Sequence, residues 1–67
     1  MKYRSGQTPK LQDVVCLRRE GRKHRPAGSL AVVRDFRGAT LLKVEWSEPE
    51  GFGHVPASDL DLLERKI

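Results

Sequence analysis

The clearest strand signal in the chain is Thr40-Leu41-Leu42-Lys43-Val44-Glu45-Trp46. From Leu42 onward apolar and charged residues alternate, which is the period of a strand with one buried face. We expect Leu42, Val44 and Trp46 to face a core and the charged residues between them to face water. This stretch therefore predicts a β-strand that is part of a half-buried sheet.

Four other segments have the brevity and the apolar or β-branched content of strands. They span residues 11–17, 29–35, 52–55 and 60–64, with one 3₁₀ turn at 56–59 before the last strand. Pro and Gly residues separate the segments. Five short strands in so small a chain favour an all-β barrel, because an open sheet would leave an unpaired edge on each side. In the second strand Leu30 to Val33 are apolar on both faces, which indicates a bulge, a covered outer face or an oligomer contact.

Length and composition indicate one small domain. The chain has 67 residues, 37% of them hydrophobic, and a single cysteine, which excludes an internal disulfide. Residues 1–9 have no periodicity and are expected to be a flexible N-terminal arm, with the barrel domain over 10–67 and a fraying tail from Arg65. No segment has the pattern of a signal peptide or a membrane span, so we expect a cytoplasmic protein.

Charge is sorted along the chain. Residues 1–44 contain eleven Lys and Arg against three acidic residues, whereas residues 45–67 contain two against six. The densest basic stretch is Arg18-Arg19-Glu20-Gly21-Arg22-Lys23-His24-Arg25, between the first two strands. Such an asymmetry predicts a one-sided field and a partner that carries phosphates or carboxylates.

The chain combines Asp13-x-Val15 in the first strand, a long charged loop, a second strand led by Gly28, Glu45-Trp46 ending the third strand, and Val55-Pro56-x-x-x-Leu60. This combination resembles the SH3-like barrels of the KOW and Tudor kind. It implies a five-stranded SH3-like barrel. It also implies a binding module, since such barrels bind RNA, DNA, ribonucleoproteins or peptides.

The preferred hypothesis is a module without catalytic activity that contacts the phosphates of DNA or RNA. The basic loop and the arm would supply the contacts, and the basic residues of the second and third strands would extend them if those strands lie beside the loop. The candidate phosphate contacts are Arg18, Arg19, Arg22, Lys23, Arg25, Arg34, Arg37, Lys43, Lys2, Arg4 and Lys10.

Aromatic residues are few. Trp46 continues the apolar stripe of its strand and is expected to be buried, so a methyl-lysine cage of several rings is not expected. Phe36 and Phe52 lie at predicted turns, and either could stack on a base.

The sequence gives little support for a catalytic site or a metal site. His54, Ser58 and Asp59 lack the elbow and cleft of a hydrolase, and Cys16 and the two histidines lack the spacing of zinc ligands. No cofactor is expected. The chain is also similar in size and in its Pro-x-x-x-Leu segment to type II dihydrofolate reductases. That family has Val-Gln-Ile-Tyr where this chain has Gly53-His54-Val55-Pro56, so no catalytic residue is implied.

The alternative hypothesis is a protein-interaction or regulatory module, in which the basic face meets an acidic protein surface. The acidic last third could dock on the basic loop of a second copy and form a homo-oligomer. Charge pattern alone does not separate this from nucleic-acid binding.

Overall fold

The computed structural model describes residues 1–18 and 25–65, whose strands make up one antiparallel sheet. The strands are β1 (Val14–Leu17), β2 (Leu30–Arg37), β3 (Leu41–Ser47), β4 (Glu50–Pro56) and β5 (Leu60–Glu64). A 3₁₀ turn over Ala57–Asp59 directly precedes β5. The order across the sheet is β4-β3-β2-β1-β5. The predicted all-β class with five strands and a 3₁₀ turn is therefore confirmed.

β4 and β5 are the two edge strands of the sheet. Within residues 1–18 and 25–65 no ladder joins them, so closure into a barrel stays a prediction. Along β5 the Arg4 N–H donates to the Leu60 carbonyl at 2.8 Å, and the Leu62 N–H donates to the Ser5 Oγ at 2.9 Å. The N-terminal segment thus pairs backbone groups that a bare edge would offer to another chain.

Strand β3 alternates as predicted. Leu42, Val44 and Trp46 are buried, while Lys43 and Glu45 between them are half-buried on the opposite face. Burying each large apolar side chain stabilises the fold by about 1.5–3 kcal/mol. The core comprises Tyr3, Val15, Leu17, Ala31, Val33, Leu42, Val44, Trp46, Val55, Ala57 and Leu60.

Strand β4 is longer than predicted because the turn before it is tight. It begins at Glu50, so that the turn is confined to Glu48-Pro49, and Gly51 and Gly53 lie within the strand. A Cβ on Gly53 would lie 2.7 Å from the Trp46 Nε1 atom, which explains why this position has no side chain. Gly51, predicted to lie in the turn, is thus a strand residue, and Gly53, predicted to lie in the strand, makes room for the indole.

Strand β2 serves both faces of the sheet. Ala31 and Val33 point into the core, and Leu30 and Val32 lie on the outer face, where Leu30 is 45% exposed. The register of β2 against β3 shifts between Val33 and Asp35, which is the bulge that the sequence left open as one alternative.

Strand β1 is shorter than predicted, and the segment before it is packed. Gln12 has a φ of 73°, in the left-handed region that a strand does not contain, so β1 begins at Val14. Tyr3 is 2% exposed and belongs to the core. The boundary predicted between residues 9 and 10 therefore does not separate the core from the chain that precedes it.

Candidate functional site

Two of the predicted phosphate contacts meet at one carboxylate. The Arg4 Nη1 and Arg18 Nε atoms each lie 3.0 Å from the Asp61 Oδ2 atom. The side chains of Arg4 and Arg18 are 60% and 45% exposed, and that of Asp61 is 17% exposed. We call these three residues the paired-arginine site. Two guanidinium groups share one Asp61 carboxylate, and the exposure of both arginine side chains leaves N–H donors directed to solvent.

Backbone pairing builds the paired-arginine site. β1 and β5 are antiparallel neighbours with Leu17 opposite Leu60, so the residue after β1 lies beside the start of β5. The Arg18 N–H donates to the Asp59 carbonyl at 2.9 Å and fixes that position. The Arg4 bond to the Leu60 carbonyl brings the N-terminal segment to the same place. The two arginines are thus held by main-chain bonds and not by their ion pairs alone.

The rest of the basic loop is only partly described. Arg19, Arg22 and Lys23 lie outside the described residues. Arg25 is described, and its Cζ lies 5.0 Å from the centroid of the Trp46 ring while its Nη1 donates to the Pro49 carbonyl at 2.6 Å. Arg25 therefore covers the indole, a packing role in addition to the phosphate contact predicted for it.

Arg34 and Arg37 lie away from the paired-arginine site. Arg34 Nε is 2.9 Å from the Glu45 Oε1 atom, and its Nη1 donates to the Gln12 Oε1 atom at 2.7 Å. Arg37 lies 3.9 Å from Asp35. These pairs stand beyond the start of β1, because β2 runs antiparallel to β1 and its second half extends past that start. They do not adjoin the end of β1 from which the basic loop leaves.

The lysines are also dispersed. Lys2 donates to the Thr8 Oγ1 atom at 3.2 Å, and the Lys10 backbone N–H donates to the Asp13 carboxylate. Lys43 lies on β3, with its Nζ 4.9 Å from the centroid of the Phe52 ring. Within residues 1–18 and 25–65, Arg4 is the arm residue that shares a carboxylate with a residue of the basic loop, Arg18.

Charge that is sorted along the sequence is mixed in space. Glu45 and Asp61 belong to the acidic last third, yet Glu45 binds Arg34, and Asp61 binds both Arg4 and Arg18. Antiparallel pairing of distant strands brings the two parts of the chain together. The predicted separation of basic and acidic surfaces is therefore wrong at these contacts.

A buried network was missed by the sequence analysis. The Asp13 side chain is 1% exposed, and Arg65 binds it through Nε and Nη2 at 2.9 and 3.0 Å. The Tyr3 hydroxyl donates to the same carboxylate at 2.5 Å. The tail expected to fray from Arg65 is thus anchored at that residue, and the signal available in sequence was only a lone Asp at the start of an apolar strand.

The network shifts the pKa values of its members. Burial of the Asp13 carboxyl acts to raise its pKa, but bonds from Arg65, Tyr3 and the Lys10 amide outweigh it, and the pKa is lowered. Burial and the bond to the Asp13 carboxylate both raise the pKa of the Tyr3 hydroxyl. The carboxylate therefore stays ionised and the hydroxyl stays protonated over the ordinary pH range.

The four aromatic rings do not converge. Trp46 is 5% exposed, as predicted, and Tyr3 is buried as well. Phe36 pairs with the buried Leu42 and so lies on the core side of the sheet near its end, whereas Phe52 lies on the outer face. All four rings are among the described residues, and their placement leaves no group of three that could form a cage.

Residues considered for metal or hydrolytic chemistry are scattered. Cys16 is buried and His54 is exposed on β4, while His24 lies outside the described residues. In the part of the chain that the structure describes, no group of three His, Cys, Asp or Glu residues could hold a metal ion. No helix within residues 1–18 and 25–65 has the length and apolar character to cross a membrane.

Comparisons with known proteins assign no family. The chain matches none of the protein-family models, curated proteins or solved structures against which it was compared. The paired-arginine site is accordingly interpreted from its own geometry.

Proposed function

We propose that this chain is a small binding module without catalytic activity, an SH3-like barrel of the KOW and Tudor kind, that contacts the phosphates of a nucleic acid. The contacts are made by Arg4 and Arg18 and by the basic residues that follow in the loop. The observation that carries the proposal is that these two arginines, from separate parts of the chain, share a single carboxylate.

The chemistry of the guanidinium group supports this role. A guanidinium offers five N–H donors in a planar fork that matches phosphate oxygens. The Asp61 carboxylate accepts from the Nη1 of Arg4 and the Nε of Arg18. The other N–H donors of these two guanidinium groups remain available to an anion. Main-chain bonds hold both residues in place, which reduces the entropy lost when a phosphate binds.

Chain connectivity supports a larger contact area. Arg19 follows Arg18 directly, and Arg22 and Lys23 come within the next five residues. The segment that follows Arg18 in the sequence therefore adds positive charge. If three or four phosphates are neutralised, log K against log salt has a slope of about −3 for duplex DNA.

The experiment compares two double variants with the same change in net charge. Arg4→Gln with Arg18→Gln removes the paired arginines, and Lys10→Gln with Arg37→Gln removes two basic residues that lie beyond the start of β1. Binding to a labelled oligonucleotide is measured from about 50 to 200 mM salt. We expect the first variant to reduce the slope by about 1 for each arginine and the second to leave it almost unchanged. A flat salt dependence of the unmodified protein, or equal losses in both variants, contradicts the proposal.

A second candidate function is protein interaction, favoured by an apolar outer surface. Leu30 and Leu63 are 45% and 50% exposed, and the half-buried Val14 and Val32 lie on the same outer face. Such a surface suits a protein partner or a second copy of the chain. Light scattering together with heparin retention separates the two functions. A discrete oligomer without retention supports protein interaction, and retention at monomer mass supports nucleic-acid binding.

A further inference from the structure

Phe52 is the most exposed large apolar residue of the described chain. Its exposure is 62%, against 45% for Phe36. On the outer face Glu45 lies directly opposite it in the β3–β4 ladder, and the Lys43 Nζ atom is 4.9 Å from the centroid of the ring. The ring thus stands among polar side chains with much of its surface in water, an arrangement that contributes little to the core.

A ring beside a cation has the chemistry to hold an unpaired base. Stacking on an aromatic ring tolerates any base, because every base has a π-face, and a neighbouring cation attracts the phosphate of that nucleotide. The Lys43 ammonium group lies over the Phe52 ring, and a base that takes its place there leaves this flexible side chain beside the phosphate of the same nucleotide. We call these two residues the Phe52 platform.

The Phe52 platform and the paired-arginine site share one face of the sheet. Asp61 is opposite Cys16 on β1, and Cys16 is opposite Leu30 on β2, which places Asp61 on the outer face. In the adjacent row Val32 is opposite Glu45, and Glu45 is opposite Phe52. β5 and β4 are separated by four strand spacings, about 19 Å along the sheet.

The surface between the two sites suits bases better than phosphates. It includes the exposed Leu30 and the half-buried Val32, and next to Phe52 the charge of Glu45 is paired with Arg34. A strand of about four nucleotides or more, the lower limit of the site size of small barrels, is long enough to occupy such a surface. Phosphates would lie at the arginines and at Lys43, with bases toward the apolar middle and the Phe52 ring.

We propose that the Phe52 platform stacks an unpaired base, so that the ligand of this face is single-stranded nucleic acid. The inference rests on the proposed function. In a duplex the bases are stacked on one another and paired, and a ring on a sheet surface does not reach their faces. The single strand presents those faces without a cost of unpairing.

The experiment measures binding of an oligothymidylate of about twelve nucleotides and of the same strand paired with its complement. Phe52→Ala is expected to lower affinity for the single strand by about five- to hundredfold and to change duplex binding little. Phe52→Trp retains a stacking ring and is expected to keep the affinity of the unmodified protein. Phe36→Ala is the matched control, because it removes the other exposed ring from the opposite face. Circular dichroism and Trp46 fluorescence check that each variant folds.

The outcomes separate this inference from the function on which it rests. If the unmodified protein binds both probes equally, or if Phe52→Ala binds the single strand as tightly as the unmodified protein, the stacking role is overturned. Nucleic-acid binding would still stand if Arg4→Gln with Arg18→Gln weakened both probes. If neither probe shows salt-dependent binding, the proposed function itself fails.

Discussion

The two ends of β1 use carboxylates in opposite ways. Beside its C-terminal end, the Asp61 carboxylate of β5 is shared by two exposed arginines. Before its first residue, Asp13 is enclosed by Arg65, the Tyr3 hydroxyl and a backbone amide, and its charge is fully compensated. An exposed arginine pair keeps N–H donors that a ligand can reach, whereas a satisfied buried pair serves stability. The same residue types thus have different roles because their burial and stoichiometry differ.

The largest expected effect is at Asp13. Asp13→Ala removes the acceptor of four hydrogen bonds from three residues, and the loss of an acceptor for the buried Tyr3 hydroxyl costs about 1–3 kcal/mol by itself. That is a large fraction of the stability of a small domain. Urea unfolding followed by Trp46 fluorescence measures the change. Asp61→Ala is the matched control, and an equal loss in the two variants would remove the distinction between the two ends.

Acid should act on the same end of β1. Since the pKa of Asp13 is lowered in the folded protein, its contribution is fully present above the unfolded value of about 3.9 and is lost as pH falls through the folded value. Below about pH 4 the urea concentration at the midpoint of unfolding is therefore expected to decrease. Asp13→Asn is expected to lack this part of the decrease. Parallel pH profiles of the variant and the unmodified protein would show that Asp13 is not responsible.

The smallest expected effect on stability is at the paired-arginine site. Asp61→Asn breaks two exposed ion pairs, which contribute about 0–1 kcal/mol each. Because both guanidiniums are then released to solvent, oligonucleotide binding at low salt is expected to be retained or strengthened. Unfolding and binding are measured on the same sample. Weaker binding with unchanged stability would mean that Asp61 positions the arginines and is required by the site.

Local pattern in the sequence carries much of the fold. The alternation around Val44 predicts the inner face of β3, and the last strand has the predicted bounds, Leu60–Glu64. In both places the signal consists of neighbouring residues, so it can be read without knowing which strands pair. The end of the turn before β4 is harder to predict, because glycine is common in turns but Gly51 lies within the strand. There a Cβ would lie 3.3 Å from the Arg25 Nη2 atom.

Most contacts of the candidate site depend on pairing between strands that are distant in the sequence, and the sequence does not reveal which strands pair. Asp13 and Arg65 are 52 positions apart, and Arg4 and Asp61 are 57 apart. Neither pair has a periodic signal, because each depends on β5 lying beside β1. Tyr3 is a further case, since a single aromatic residue in a polar segment gives no indication that its ring is buried.

The hydrogen bonds of Arg4 and Ser5 along β5 have a practical consequence. Terminal segments without periodicity are often removed before biophysical work, and residues 1–9 have that composition. Here such trimming would withdraw an aromatic ring from the interior and uncover the amide of Leu62 and the carbonyl of Leu60. A shortened protein would have an unpaired strand edge along β5, which favours pairing with another chain. Self-association caused by the truncation could then be mistaken for a property of the native chain.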